Sequence, residues 1–132
     1  MSNSSARPLS PHLSVYKLHP AMIMSGLHRI TGMCLTIGLV LLTWWLVAAA
    51  AGPDYFAVVQ GLLGSIIGKL ALVGWTFSVF YHLGTGIRHL AFDMGLWLDN
   101  GPALRAGWTV VVFAVSATAV AWAIGCLTLA VK

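Results

Sequence analysis

The chain has 132 residues, 59% of them hydrophobic and only 8% charged, with three acidic side chains against seven Lys and Arg and a formal net charge of +4. A water-soluble domain carries about a quarter charged residues, so this composition excludes an ordinary soluble fold and points to lipid. The cations sit at the ends of apolar segments and form no stripe, which excludes nucleic-acid binding and makes them interfacial anchors.

Residues 1–20 open the chain as a polar, Ser- and Pro-rich arm, "SNSSARPLSPHLSVYKLHP". Pro8, Pro11 and Pro20 argue against a continuous helix there, so the arm is expected to lie along the inner membrane surface. The remainder, 21–132, reads as one membrane-anchor domain. Charge-free stretches run from Ile30 to Gly52, from Leu70 to Ile87 and from Ala106 to Val131. Each is close to or above the roughly 18–20 residues that cross a hydrocarbon core of ~30 Å. Backbone groups in lipid must be satisfied within the segment, so these are helices.

The first helix is expected over about 21–50, with Pro20 tolerated in its first turn. It ends at Gly52-Pro53, and "GPDYFAVVQG" reads as a short outer loop with Tyr55 and Phe56 in the aromatic belt. The second helix is expected over about 61–92. The link "MGLWLDNGPALRA" turns at Asn100-Gly101-Pro102, and a third helix covers about 104–131. The expected fold is an all-α, three-span, up-down-up bundle. Arg7, Lys17, Arg29, Arg88 and Arg105 fall on one side, and Lys69 and Lys132 on the other. That asymmetry places the N-terminus in the cytoplasm.

A cleaved signal peptide ending near "LVAAAAG" is not favoured, because the charged lead and the apolar run are both too long. The same reading expects no mitochondrial presequence, since the first twenty residues are not Arg-rich and amphipathic. Cys34 and Cys126 fall toward opposite faces, so no disulfide is expected between them. The chain has no CxxCH, so any haem is held without thioether links.

The second helix carries the chemistry, in "FYHLGTGIRHLAFD" (Phe80–Asp93). Lys69 and Arg88 are nineteen residues apart, about 28 Å at 1.5 Å per residue. They mark the two interfaces, and His82 lies about 9 Å inside the nearer one. An ionisable group at that depth is a functional candidate. His89, seven positions on, shares nearly the same face about 10 Å closer to the cytoplasm. That separation suits the iron and propionates of a porphyrin, with His82 as axial ligand and His89, Arg88 and Arg29 as cations for the propionates. Gly86, one turn from His82, leaves room for a flat macrocycle. The plainer reading is a buried histidine bonded to a neighbouring helix, with Gly84 and Gly86 serving helix packing. No second histidine lies at the depth of His82, so a sixth ligand comes from a partner subunit or the iron is five-coordinate.

The first helix adds "SGLHR". Ser25 and Arg29 share a face, with His28 beside them. A hydroxyl and a guanidinium at the lipid boundary suit a quinone carbonyl; the plainer reading is an interface anchor. Asp93 and Asp99 read as inner-loop polar residues.

These stretches carry a resemblance. "RPLSPHL" (Arg7–Leu13), followed by Ser25-x-x-His28-Arg29-x-Thr31, and "HLGTGIRHLAFDMG" (His82–Gly95) resemble the two signatures of the cytochrome b556 family of succinate dehydrogenase, respiratory complex II. The third helix matches only in being apolar. The resemblance implies a membrane anchor shared with a second small membrane subunit and carrying an iron–sulfur subunit and a flavoprotein subunit. It implies one haem b ligated by His82 and by a histidine of the second anchor subunit. It places His28, Arg29 and His89 near the propionates, and Ser25, Arg29, Leu13 and Leu18 at a ubiquinone site on the inner edge. It implies a subunit of the enzyme with no succinate site of its own, and the lack of an Arg-rich amphipathic presequence favours a bacterial inner membrane over a mitochondrial one. The chain has neither a dinucleotide-binding glycine pattern nor a cluster-binding cysteine set. An anchor of a quinol:fumarate reductase is the near alternative. A small transporter using His82 and Arg88 as a proton relay is the alternative of another class, although residues 70–80 offer only Thr76 and Ser78 along the path.

Overall fold

In a computed structural model, residues 15–130 are described. They form four helices: α1 (Pro20–Ala51), α2 (Pro53–Gly64), α3 (Ile66–Asp93) and α4 (Asn100–Ala130). Most of the expected N-terminal arm, including Leu13, lies outside the described residues. The helices α1, α3 and α4 are long and apolar enough to cross a membrane. They run up, down and up, as the three charge-free stretches require.

Local chemistry fixes the ends. The His19 side chain accepts a hydrogen bond from the Ala21 N–H, and Pro20 occupies the first turn of α1, where its missing N–H costs nothing. Gly52 adopts φ 127°, a conformation closed to other residues, and lets Pro53 start a new helix at once. The expected outer loop is therefore helical: "GPDYFAVVQG" lies almost wholly in α2. Its aromatic and polar side chains pin it to the end of α1. Trp44 donates to the Tyr55 hydroxyl at 2.7 Å, Trp45 donates to Gln60 at 3.0 Å, and Val59 is fully buried.

The expected second helix, 61–92, is divided at Ser65. Ser65 is extended (φ −64°, ψ 163°), and its hydroxyl donates to the Leu62 carbonyl and accepts from the Gly68 N–H. A serine side chain competes with helical backbone bonds in this way, ending α2 and capping α3. A side chain at Gly68 would run into the carbonyls of Leu62 and Leu63, so only glycine permits the bend.

The far end of α3 closes differently. The Gly95 N–H bonds the Phe92 carbonyl and the Leu96 N–H bonds the Ala91 carbonyl, each at 2.9 Å, with Gly95 left-handed at φ 79°. This is a Schellman closure. The expected turn at Asn100-Gly101-Pro102 is already the first turn of α4, where proline is tolerated.

Packing follows the rule for lipid, where small residues let helices approach. On α1, Thr31, Gly38 and Ala48 are buried; on α4, Gly107, Ala114 and Thr118 are. The Trp75 indole of α3 occupies the space a side chain at Gly38 would need, and Met24 of α1 does the same at Gly107 of α4. Around this narrow core the large apolar side chains point outward, Ile37, Val40, Leu70, Val112 and Leu127 among them. Lipid is their solvent.

Candidate functional site

The N-terminal end of α1, the C-terminal end of α3 and the N-terminal end of α4 gather at one edge of the bundle. His28, Arg29, Arg88, His89 and Arg105 all lie there.

His82 sits on α3 opposite His28 of α1. Their imidazoles stack with centroids 4.0 Å apart and planes 14° from parallel. The His82 Nδ1 lies 3.2 Å from the His28 carbonyl and 3.4 Å from the Thr31 hydroxyl. A carbonyl only accepts, so Nδ1 carries the proton and donates. That leaves Nε2 with its lone pair, and Nε2 makes no hydrogen bond among the described residues. An outer partner that fixes one ring nitrogen and frees the other is how proteins set up a metal-binding imidazole. Thr31 is itself buried, and its hydroxyl lies 2.9 Å from the carbonyls of Leu27 and His28. Gly32 lets the ring approach: a Cβ there would stand 3.1 Å from His82 Cε1.

His89 joins the same group, its ring 5.3 Å from that of His28. The sequence spacing of seven thus brings His82 and His89 to one neighbour. The buried His28 Nδ1 has no hydrogen-bond partner among the described residues, an unsatisfied polar atom beside the His82 ring. Gly86, between the two histidines of α3, has nothing within 4 Å of the position a Cβ would take. Among the described residues this face of α3 is uncovered, and its donors and space fit a porphyrin with cation-seeking carboxylates.

Ser25 and Arg29 are exposed on the same third of α1, and exposed Leu18 precedes the α1 cap. Arg88 goes elsewhere. Its guanidinium donates to the Ala103 carbonyl of α4 at 3.0 Å and lies 4.5 Å from the centre of the Phe92 ring. It is 8% exposed and directed between α3 and α4, away from the histidine group. One helical step, 100°, separates it from His89 and explains the divergence. Gly84 belongs to packing as well, against Val110 and Phe113.

Two contributors escaped the sequence reading. Thr31 lies three residues after His28, so it faces the same neighbour, but a threonine in an apolar helix usually bonds only its own carbonyls. Tyr81, 1% exposed, donates to the Met24 carbonyl at 3.1 Å and locks α3 to α1 beside the histidines.

The fold and this edge define a small multi-span membrane protein with paired intramembrane histidines. The family model for the succinate dehydrogenase/fumarate reductase transmembrane subunit matches residues 3–121, and the chain belongs to that family. It is 42% identical over 113 residues to the succinate dehydrogenase cytochrome b556 subunit of Paracoccus denitrificans, covering 86% of this chain and 87% of that one. The cytochrome b556 subunit of Rickettsia felis is 38% identical, with 88% and 90% covered. The mitochondrial cytochrome b560 subunit of Homo sapiens is 35% identical, with 84% and 67% covered. The chain is thus a membrane cytochrome b type of succinate dehydrogenase subunit. With three apolar spans and these bacterial relatives, it is a multi-pass protein of a bacterial inner membrane.

Proposed function

We propose that this chain holds one side of a haem b through His82 Nε2 and forms part of a ubiquinone-reduction site at the edge where its α1 begins. The supporting observation is the hydrogen bond from His82 Nδ1 to the His28 carbonyl, which leaves the other nitrogen free on an uncovered face. His28, Arg29 and His89 meet the propionates; Arg88, engaged with α4, does not belong to that set. Haem b, when bound, supplies a one-electron redox centre.

A histidine of a second small membrane subunit would complete the ligation of the haem. His28 does reach the depth of His82, contrary to the expectation from spacing, but its ring is stacked face to face on that of His82 and does not stand across an iron from it. An iron–sulfur subunit and a flavoprotein subunit sit on the cytoplasmic side, where the charge asymmetry also puts the N-terminus. Succinate is oxidised to fumarate on the flavoprotein. Two electrons reach ubiquinone, which also takes two protons. Ser25 and Arg29 orient the quinone: the hydroxyl and the guanidinium donate to its carbonyl oxygen, where negative charge develops on reduction. Leu18, with Leu13 of the arm, provides apolar contact for the ring. The chain itself has no part in succinate chemistry.

The named relatives are succinate dehydrogenase subunits, which favours succinate oxidation over the fumarate-reducing direction. A proton relay through α3 is not favoured. The Ser78 hydroxyl is committed to the Gly74 carbonyl and that of Thr76 to the Leu72 carbonyl.

The test is the dithionite-reduced spectrum of the purified complex with and without His82→Ala. The expected result is a b-type absorbance in the parent that the variant loses. An unchanged spectrum in the variant overturns the ligand assignment.

A further inference from the structure

Arg88 presents an imbalance that the histidine site does not use. A guanidinium never deprotonates in a protein, and a buried charge requires a partner. Arg88 is buried, yet its Nε has no hydrogen-bond partner, and its polar contacts among the described residues are one carbonyl and one aromatic face. The whole chain holds only three acidic residues, Asp54, Asp93 and Asp99. Asp54 lies at the opposite end, in the first turn of α2, and neither Asp93 nor Asp99 bonds the guanidinium. No carboxylate among the described residues neutralises it.

Arg88 lines a groove of about 650 Å³ between α3 and α4, together with Arg105, Trp97, Thr109, Val110 and Phe113. The groove has two ends of different character. Arg105 and Trp97 stand at the membrane edge, while Phe113 lies eight residues along α4, about 12 Å deeper in the bilayer. Trp97 holds a left-handed backbone (φ 57°), a conformation that a non-glycine residue rarely adopts. Its indole lines the mouth at the level where tryptophan favours the interface. A cationic mouth above an apolar shaft matches an anionic headgroup above an acyl chain.

We propose that this groove is a binding site for one anionic phospholipid, its phosphate held by Arg88 and Arg105 and one acyl chain lying along Val110 and Phe113. Arginine forks suit phosphate oxygens. Two cations with no acid between them favour a headgroup of net negative charge over a zwitterionic one. The occupant also braces the bundle, because Arg88 stands on α3 and Arg105 on α4.

The test uses the complete purified complex in nanodiscs of phosphatidylcholine with or without phosphatidylglycerol, read by native mass spectrometry and by thermal unfolding. Arg105→Gln alters the exposed end of the site, and Lys69→Gln at the opposite membrane edge is the control. The parent and the control are expected to retain phosphatidylglycerol in preference to phosphatidylcholine and to unfold at a higher temperature with it. Retention by Arg105→Gln is expected to fall about tenfold, the loss of one charge-assisted contact. Millimolar inorganic phosphate is expected not to displace the lipid. Equal retention of both lipids, undiminished retention by Arg105→Gln, or displacement by free phosphate each overturns the proposal. So does a groove covered by a partner carboxylate with no lipid retained. Should Arg105→Gln fail to assemble, the parent's preference between the two lipids and its response to phosphate decide the matter alone.

Discussion

The imidazoles of His28 and His82, 54 residues apart, stack 4.0 Å apart while the His28 carbonyl accepts the proton of His82 Nδ1. One residue of α1 therefore sets both the plane of the α3 ring and its tautomer. The bond comes from the backbone, so it survives a change of side chain; the stack does not. Thr31 adds a side-chain oxygen to the same nitrogen at 3.4 Å.

That division leads to a prediction for Thr31. Thr31→Val removes the hydroxyl at nearly constant volume and leaves Nδ1 with the His28 carbonyl alone. Outer partners raise the basicity of a ligating imidazole. The expected outcome is a haem retained at parental content but with a higher midpoint potential, measured by redox titration, and Thr31→Ser is expected to restore the parental value. A parental potential in Thr31→Val shows that the hydroxyl serves only its own helix.

If Arg29 serves the proposed quinone site, its loss is expected to separate quinone reduction from succinate oxidation. Loss of a charge-assisted hydrogen bond costs about 1.5–3 kcal/mol, so Arg29→Ala is expected to lower quinone reduction by about ten- to a hundredfold. Succinate oxidation with an artificial dye acceptor is expected to continue at the parental rate, because it needs only the soluble subunits. Equal loss in both assays assigns Arg29 to assembly.

Tyr81 carries a stability prediction. Its hydroxyl is buried and donates to the Met24 carbonyl across the α1–α3 interface. Tyr81→Phe keeps the ring and deletes that bond, a cost of about 1 kcal/mol. Thermal unfolding of the complex is expected to shift downward while the reduced spectrum stays parental. A changed spectrum with unchanged unfolding places Tyr81 at the haem instead.

The three spans were legible because a membrane helix announces itself by length without charge, and the shared face of His82 and His89 because seven residues make nearly two turns. The break at Ser65 was hidden. "GLLGSIIGK" is as apolar as its surroundings, and a serine signals a cap only once its hydroxyl is seen on Gly68. The helicity of 53–64 was masked by the Gly52-Pro53 pair, which marks a helix start as readily as a loop. The direction of Arg88 was beyond a one-dimensional reading. A residue 100° from His89 faces either the haem side or α4, and the choice belongs to Ala103, fifteen residues away. Thr31 was in view within "SGLHRITG", yet its contact with His82 depends on the register between two helices, which Gly32 sets by close approach.

The glycines of α1 and α4 are expected to differ in tolerance although both are buried. A methyl at Gly38 collides with the Trp75 indole, a rigid ring wedged between α1 and α3. A methyl at Gly107 collides with the Met24 thioether, which has rotatable bonds to yield. Gly38→Ala is expected to cost about 1–3 kcal/mol as overpacking, and Gly107→Ala distinctly less, by thermal unfolding of the two complexes side by side. Equal costs mean that the indole moves as freely as the thioether.

Gly86 isolates the open face of α3 from the packing of the bundle. It meets nothing within 4 Å among the described residues, so a larger side chain there disturbs none of them. In an exposed helix interior, replacing glycine by a good helix former gains about 0.8–1 kcal/mol. Gly86→Leu is therefore expected to leave the helices of this subunit intact by circular dichroism. It sits one turn from His82, where a flat macrocycle needs clearance, so haem content per complex is expected to fall sharply. Full haem content in a well-folded Gly86→Leu complex places the macrocycle on another side of His82 and removes the reason for glycine at this position.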